Sequence, residues 1–415
     1  MQDPPPNRPF AIKAINKIGG VAQTLGLVVP GLDPENLLAT AAKRTGLSDF
    51  GDRSFREGLE QLVAALEGEA RLSQIGRIGT RARLLDNLCT RLQLIEYRQQ
   101  HPKVAQQQIV RPLFVLGLPR TGTTIFYELL AQDPVHRAPM SWEVDEPMPP
   151  AQRETYASDP RIEQVDRKLA QVEVLAPGFK SIHEIGATLP QECSAMWATQ
   201  FWGEVFGTPY YIPSFRRWTL EYGAVQAYRW HHQFLQHMQS EYARERWVLK
   251  TPPHLAYLNE LVAQYPDAVI VWTHRDPLSV IGSVSSLACT LRSAMSDHID
   301  PMATGPLEAE FFAALLKRGL EQREAMPDRS TRFFDVAFRD IITDPVPVIE
   351  QMYAHFGFEF SDGLRQRMQG YLASRPREKH GTHRYALEDY GLSAEKHGLL
   401  FSEYCERYAR FIAAQ

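Results

Sequence analysis

Between about residues 33 and 108 the apolar positions recur every three or four residues: Phe55, Leu59, Leu62 and Leu66, then Leu84, Leu85, Leu88 and Leu92. That spacing lines one face of a helix. Asp33 followed by Pro34 has the form of an N-cap with proline at the first helical position, and Gly51 and Gly79 read as turns between helices. Residues 1–110 are therefore expected to form an N-terminal helical lobe, a cap on the body or a surface for a homo-oligomer. At Arg111-Pro112 the texture changes. The short apolar runs 113–116, 247–249, 268–272 and 332–336 suit buried parallel strands, and helical stretches follow the first, third and fourth. Strands alternating with helices predict an α/β fold with a doubly wound parallel sheet over 111–415. Within it, 147–240 is a long irregular insertion rich in rings: Trp197, Phe201, Trp202, Tyr210, Tyr211, Trp218, Tyr228 and Trp230. Ligands of such sheets sit beyond the carboxyl ends of the strands.

Composition narrows the function classes. The chain has 415 residues, 44% hydrophobic and 23% charged, ordinary for a globular enzyme. A net charge of −4 gives no electrostatic reason for nucleic acid or an anionic membrane as the main partner, so an anionic ligand would need a few placed Arg and Lys residues. Cys89, Cys193, Cys289 and Cys405 lie far apart, which fits neither a disulfide framework nor a zinc site and suits a reducing cytoplasm. Residues 10–30 are apolar but interrupted by Lys13, Asn16, Lys17 and Gln23, short of the roughly 20 uncharged apolar residues of a membrane span. They read as an amphipathic segment packed on the body, with lipid contact as the alternative.

Three sequence features carry chemistry. Gly117-Leu-Pro-Arg-Thr-Gly122-Thr123-Thr124 links the first strand to a helix, where glycines, unpaired helix N–H groups and the helix dipole cradle an anion. Arg120 adds a permanent charge. Threonine stands where a P-loop NTPase carries its lysine, which speaks against an ATP-dependent phosphotransferase. His274-Arg275-Asp276-Pro277 closes the third run, with Ser283 eight residues beyond Arg275, a planar donor and a hydroxyl able to share one phosphate. Near the C-terminus, 375–384 is a cationic cluster containing Arg377 and Lys379.

These features resemble the PAPS-dependent sulfotransferases, whose 5′-phosphosulfate loop has the pattern P-[KR]-[ST]-G-[ST]-[ST]. The resemblance is strongest over 114–142 and 247–286, and Trp142-Glu143 with Trp247-Val-Leu-Lys250-Thr-Pro-Pro-His254 points to the bacterial group. It implies that Pro119, Arg120, Thr121, Gly122, Thr123 and Thr124 hold the 5′-phosphosulfate. It implies Arg275 and Ser283 at the 3′-phosphate, with Arg377 and Lys379 closing over it, and Phe338 as a stacking face for adenine. Ile125 replaces the tryptophan that many cytosolic members stack on adenine. Arg120 and Lys250 would stabilise the leaving oxygen of an in-line transfer. Glu143 and His254 compete as the base on the incoming hydroxyl, with His183 and Glu184 further behind. The expected reaction moves a sulfuryl group from PAPS to a hydroxyl of a small acceptor, leaving PAP, with no metal. The ring-rich insertion, read as the acceptor side, suggests an apolar or aromatic acceptor. An ATP-dependent phosphotransferase and a non-catalytic nucleotide-binding protein of the same fold are the alternatives.

Overall fold

Within each predicted strand, successive apolar side chains fall on opposite faces of one sheet. The computed structural model describes Asn16 and residues 30–175, 184–375 and 386–412; His183, Arg377, Lys379 and, apart from Asn16 and Pro30, the segment 10–30 lie outside these. Five strands, β1 (Leu113–Gly117), β2 (His136–Arg137), β3 (Arg246–Lys250), β4 (Val269–His274) and β5 (Phe333–Ala337), pair in the order β2-β3-β1-β4-β5, and every pairing is parallel. Only β2, two residues long, carried no readable pattern.

Leu113, Val115, Val248, Val271 and Val336 face one layer. It comprises α4 (Thr123–Leu130), α8 (Pro345–Phe356) and α9 (Asp362–Ser374). Phe114, Leu116, Leu249, Ile270 and Trp272 face the other, which comprises α5 (Val225–Gln239), α6 (Pro277–Met295) and α7 (Pro301–Glu324). Helices on both faces make the sheet doubly wound, as predicted. The register matters most: Val115 lies opposite Lys250, Gly117 opposite Thr273 and His274 opposite Ala337. The carboxyl ends of β1, β3, β4 and β5 thus finish along one edge.

The N-terminal lobe consists of α1 (Pro34–Thr45), α2 (Ser54–Gly68) and α3 (Gln74–Gln100). Asp33 caps α1, its side chain accepting from the Asn36 N–H at 2.8 Å with Pro34 in the first turn. Gly51 is a turn, but Gly79 lies inside α3. Gly51 has the positive φ that ends a helix path, +73°, whereas Gly79 keeps a helical backbone that its neighbours' packing holds in place.

The rings of the 147–240 insertion pack into two cores. Trp197, Trp202, Tyr228 and Trp230 are buried in the main core. Phe201 and Tyr210 complete the core of the N-terminal lobe beside Leu59, Leu62, Leu88 and Leu92. Each ring removes about 150–250 Å² from water, and these rings stabilise the body, while other residues of the insertion, among them Glu192, Ala195 and Thr208, line the cavity.

Arg91 on α3 pins the lobe to the body. Its buried guanidinium donates to the carbonyls of Phe50 (2.8 Å) and Asp52 (3.0 Å) and to Gln200 Oε1 (2.8 Å). It also lies over the rings of Phe55 and Trp230, at 4.3 and 4.1 Å. Arg91→Met leaves the buried Gln200 oxygen and the partly buried Phe50 and Asp52 carbonyls without that donor, so chemical denaturation should show a loss of about 3 kcal/mol.

Candidate active site

The β1–α4 turn is a loop that only particular residues can build. Gly117 has φ +150°, and a Cβ there would sit 2.1 Å from Thr273 Oγ1. Gly122 has φ +81°, and a Cβ on it would press on Ile341 and Phe338 at 3.1 and 3.3 Å. Arg120 itself adopts φ +65°, an uncommon conformation for a side-chain-bearing residue. Thr121 fixes the turn from within: its hydroxyl donates to the Leu118 carbonyl and lies 2.6 Å from Thr273 Oγ1. Through that inward bonding the Thr121 side chain shapes the loop, while Pro119, Arg120, Gly122, Thr123 and Thr124 line the cavity. The N-terminus of α4 opens into the same space, adding orphan N–H groups and a positive dipole end.

Two more cations reach the loop from neighbouring strand ends. Arg275, just beyond β4, donates to the Arg120 carbonyl at 2.8 Å, and its guanidinium lies 4.1 Å from the Phe338 ring. Lys250, the last residue of β3, is buried, donating to Thr124 Oγ1 at 3.3 Å and to Glu192 Oε1 at 2.5 Å. The other Glu192 oxygen accepts from the Thr251 hydroxyl at 3.0 Å. Sequence reading missed Glu192. It stands 58 residues before Lys250 in no motif, and nothing but the fold joins them. On α4, Glu128 accepts from the Tyr371 hydroxyl and from Arg375, both at 2.9 Å, and Arg375 also reaches Glu184 at 3.0 Å. Burial raises the Glu128 carboxyl's pKa, and Arg375 beside it works in the opposite direction.

Both favoured base candidates lie off the cavity. Glu143 is buried in an ion pair with Arg137, accepts from the Tyr156 hydroxyl at 2.6 Å and receives the Met140 N–H at 3.3 Å. Its carboxylate closes a local turn; Val144, Asp145 and Glu146 line the cavity in its stead. His254 is fully buried, its Nδ1 2.6 Å from the Tyr228 hydroxyl and its ring packed on Phe114 and Trp197. Burial pushes its pKa well below the histidine range, so it is a neutral core residue. Ser283 is buried on α6 and absent from the lining, whereas its neighbour Val284 is present. Helix geometry turns successive side chains by about 100°, which is enough to send Ser283 inward. Glu184 does reach the cavity wall.

The phosphate loop, Lys250, Arg275 and Phe338 open into a single cavity of about 1590 Å³. Its far wall is the N-terminal lobe. Gly79, Ala82, Arg83, Asp86, Thr90 and Gln93 line it, one stripe of α3 at helical spacing. Opposite stand Val284, Leu287, Leu291 and Met295 of α6. The two helices touch where a Cβ on Gly76 would meet the Met295 carbonyl at 1.9 Å, and beyond that crossing Gly79 leaves open space. Among the described residues no group of His, Cys, Asp and Glu could hold a metal ion.

Comparison with known proteins agrees with this geometry. A family model described as the sulfotransferase family matches residues 112–362. The chain superposes on the crystal structure of sulfotransferase STF9 from Mycobacterium avium with a TM-score of 0.86 and 29% identity, covering 94% of this chain and 100% of that one. For sulfotransferase STF1 from Mycobacterium tuberculosis H37Rv the values are 0.79 and 33%, over 89% and 98%. It is also 25% identical, over 308 residues that make up 71% of this chain and 74% of the relative, to the omega-hydroxy-beta-dihydromenaquinone-9 sulfotransferase Stf3 of Mycobacterium bovis. The strand-end loop, the cations gathered around it and a family match across more than half the sequence lead to one conclusion: this chain belongs to the sulfotransferase family and is a sulfotransferase.

Proposed function

We propose that the cavity takes PAPS, with the 5′-phosphosulfate on the 117–122 loop and the 3′-phosphate at Arg275, and transfers the sulfuryl group to a hydroxyl of an apolar acceptor. The observation that carries this reading is the 2.8 Å hydrogen bond from Arg275 to the Arg120 carbonyl. It ties the two anion cradles to one wall of one cavity, so that a single doubly phosphorylated adenosine could span them. The residues fit such a ligand: glycine at 117 and 122 leaves the loop amides approachable, and Phe338 presents a flat face beside the Arg275 guanidinium.

PAPS would supply the activated sulfuryl group, whose sulfur–oxygen bond to the 5′-phosphate breaks as the acceptor oxygen bonds to sulfur. Lys250, Arg120 and the α4 N-terminus are placed to receive the charge that builds on the departing phosphate oxygen. Glu192 takes the proton of the acceptor hydroxyl. It is the carboxylate held against Lys250 and Thr251 at the cavity wall, and it passes that proton to solvent after transfer.

On the acceptor side the apolar wall of α6 and the open space at Gly79 suit an aliphatic or aromatic alcohol with bulk. Stf3, named for a menaquinone carrying an omega-hydroxyl, is a relative whose substrate has that character.

Three measurements test the reading. PAP should raise the melting temperature more than AMP does, while ATP with Mg²⁺ has little effect; stabilisation by ATP with Mg²⁺ and none by PAP would replace this reading with the phosphotransferase. Glu192→Gln should lower kcat by about a hundredfold or more with PAP affinity retained. Glu143→Gln should instead cost about 3 kcal/mol of stability by exposing the buried Arg137 charge, with kcat of the folded enzyme preserved. The opposite pattern would move the base to Glu143. Finally, Gly79→Leu fills the open space, so turnover of bulky apolar alcohols should fall while that of small phenols persists.

A further inference from the structure

Behind Arg275 runs a directional chain of hydrogen bonds through its chain neighbour His274. Arg323 donates to both oxygens of Asp335, at 2.6 and 2.8 Å, and Asp335 Oδ1 lies 2.9 Å from His274 Nε2. Burial alone would raise the Asp335 carboxyl's pKa, but the bonds from Arg323 and His274 outweigh it and hold the group ionised. An ionised carboxylate only accepts, so His274 carries hydrogen on Nε2. Burial keeps the imidazole neutral, and Nδ1 is then the acceptor. The Tyr404 hydroxyl, 2.8 Å from Nδ1, must donate to it. His274 stands directly before Arg275 in the chain, so what fixes its ring also fixes the backbone from which the Arg275 side chain leaves. Each link thus fixes the direction of the next.

The same C-terminal segment braces the site a second way. Tyr408 and Phe411 stack on the His274 ring at 4.0 and 5.1 Å. Arg339, next to Phe338, donates to the Arg410 carbonyl at 3.2 Å. Neither Tyr404, His274, Asp335 nor Arg323 lines the cavity, so their route to a bound nucleotide runs through His274 and the adjacent Arg275.

We propose that the chain from Arg323 through Asp335, His274 and Tyr404 is the positioning apparatus of Arg275, and that residues 402–412 thereby set the enzyme's selectivity for a 3′-phosphorylated donor. The proposal rests on the PAPS reading above. A hydrogen-bonded core cluster with no such task would stabilise the fold without distinguishing one nucleotide from another.

Tyr404→Phe removes only the hydroxyl, orphaning His274 Nδ1. Calorimetric titration of the full chain with PAP and with AMP, which lacks the 3′-phosphate, reads the effect, with a circular-dichroism melt to verify folding. The variant should bind PAP about five- to tenfold more weakly, the loss expected for one hydrogen bond, and AMP as the wild type does. The KM for PAPS should rise with kcat at saturating donor unchanged. An unaltered ratio of PAP to AMP affinity, or equal weakening of both, overturns the proposal. A wild-type protein that binds PAP no better than AMP would instead overturn the PAPS reading itself, and this inference with it.

Discussion

The register of the parallel sheet is the constraint on which the site depends. Because Gly117 pairs with Thr273, and Val115 with Lys250, the phosphate loop, the buried lysine and Arg275 emerge along one edge. A slip of a single residue would turn every strand side chain to the opposite layer and would scatter the three cations with it. The same geometry concentrates positive charge, which destabilises a protein without its anionic ligand. The structure counters this locally: Glu192 sits against Lys250, and the Arg120 carbonyl takes one donor of Arg275. Each partner is itself at the cavity, so the electrostatic compensation and the candidate chemistry use the same atoms.

The cavity belongs to no single element. One wall is the sheet edge and another is α6. The third is α3 of the N-terminal lobe, which is fastened to the body by Arg91 and by the close crossing at Gly76 and Met295. The lobe expected to cap the fold or to join it to a second copy lines one wall of the cavity. The buried rings of the insertion contribute indirectly, by making the lobe and the body share a core.

Much of this was legible along the chain. Four of the five strands, the cap at Asp33 and the β1–α4 loop are local patterns. A run of apolar residues, a proline after an aspartate or a pair of flanking glycines specifies its conformation through sterics and hydrogen bonds within a few residues. The cations at the strand ends followed, because a doubly wound sheet always presents that edge to its ligand. Side-chain direction was not legible. Glu143 and His254 have the residue types of a base, but one is closed into a turn with Arg137 and the other is buried beneath Phe114.

By itself, then, the sequence determined the class of fold, the anion loop and the cations that converge on it, since each rests on short-range rules. The partner of Lys250, the wall supplied by α3 and the fate of the aromatic rings were decided only by tertiary packing. Those contacts join residues tens to hundreds of positions apart, as when Tyr404 meets the imidazole of His274. Their energies come from burial and from the demand that every buried donor find an acceptor, a demand that is met across the whole fold and leaves no periodic trace along the chain.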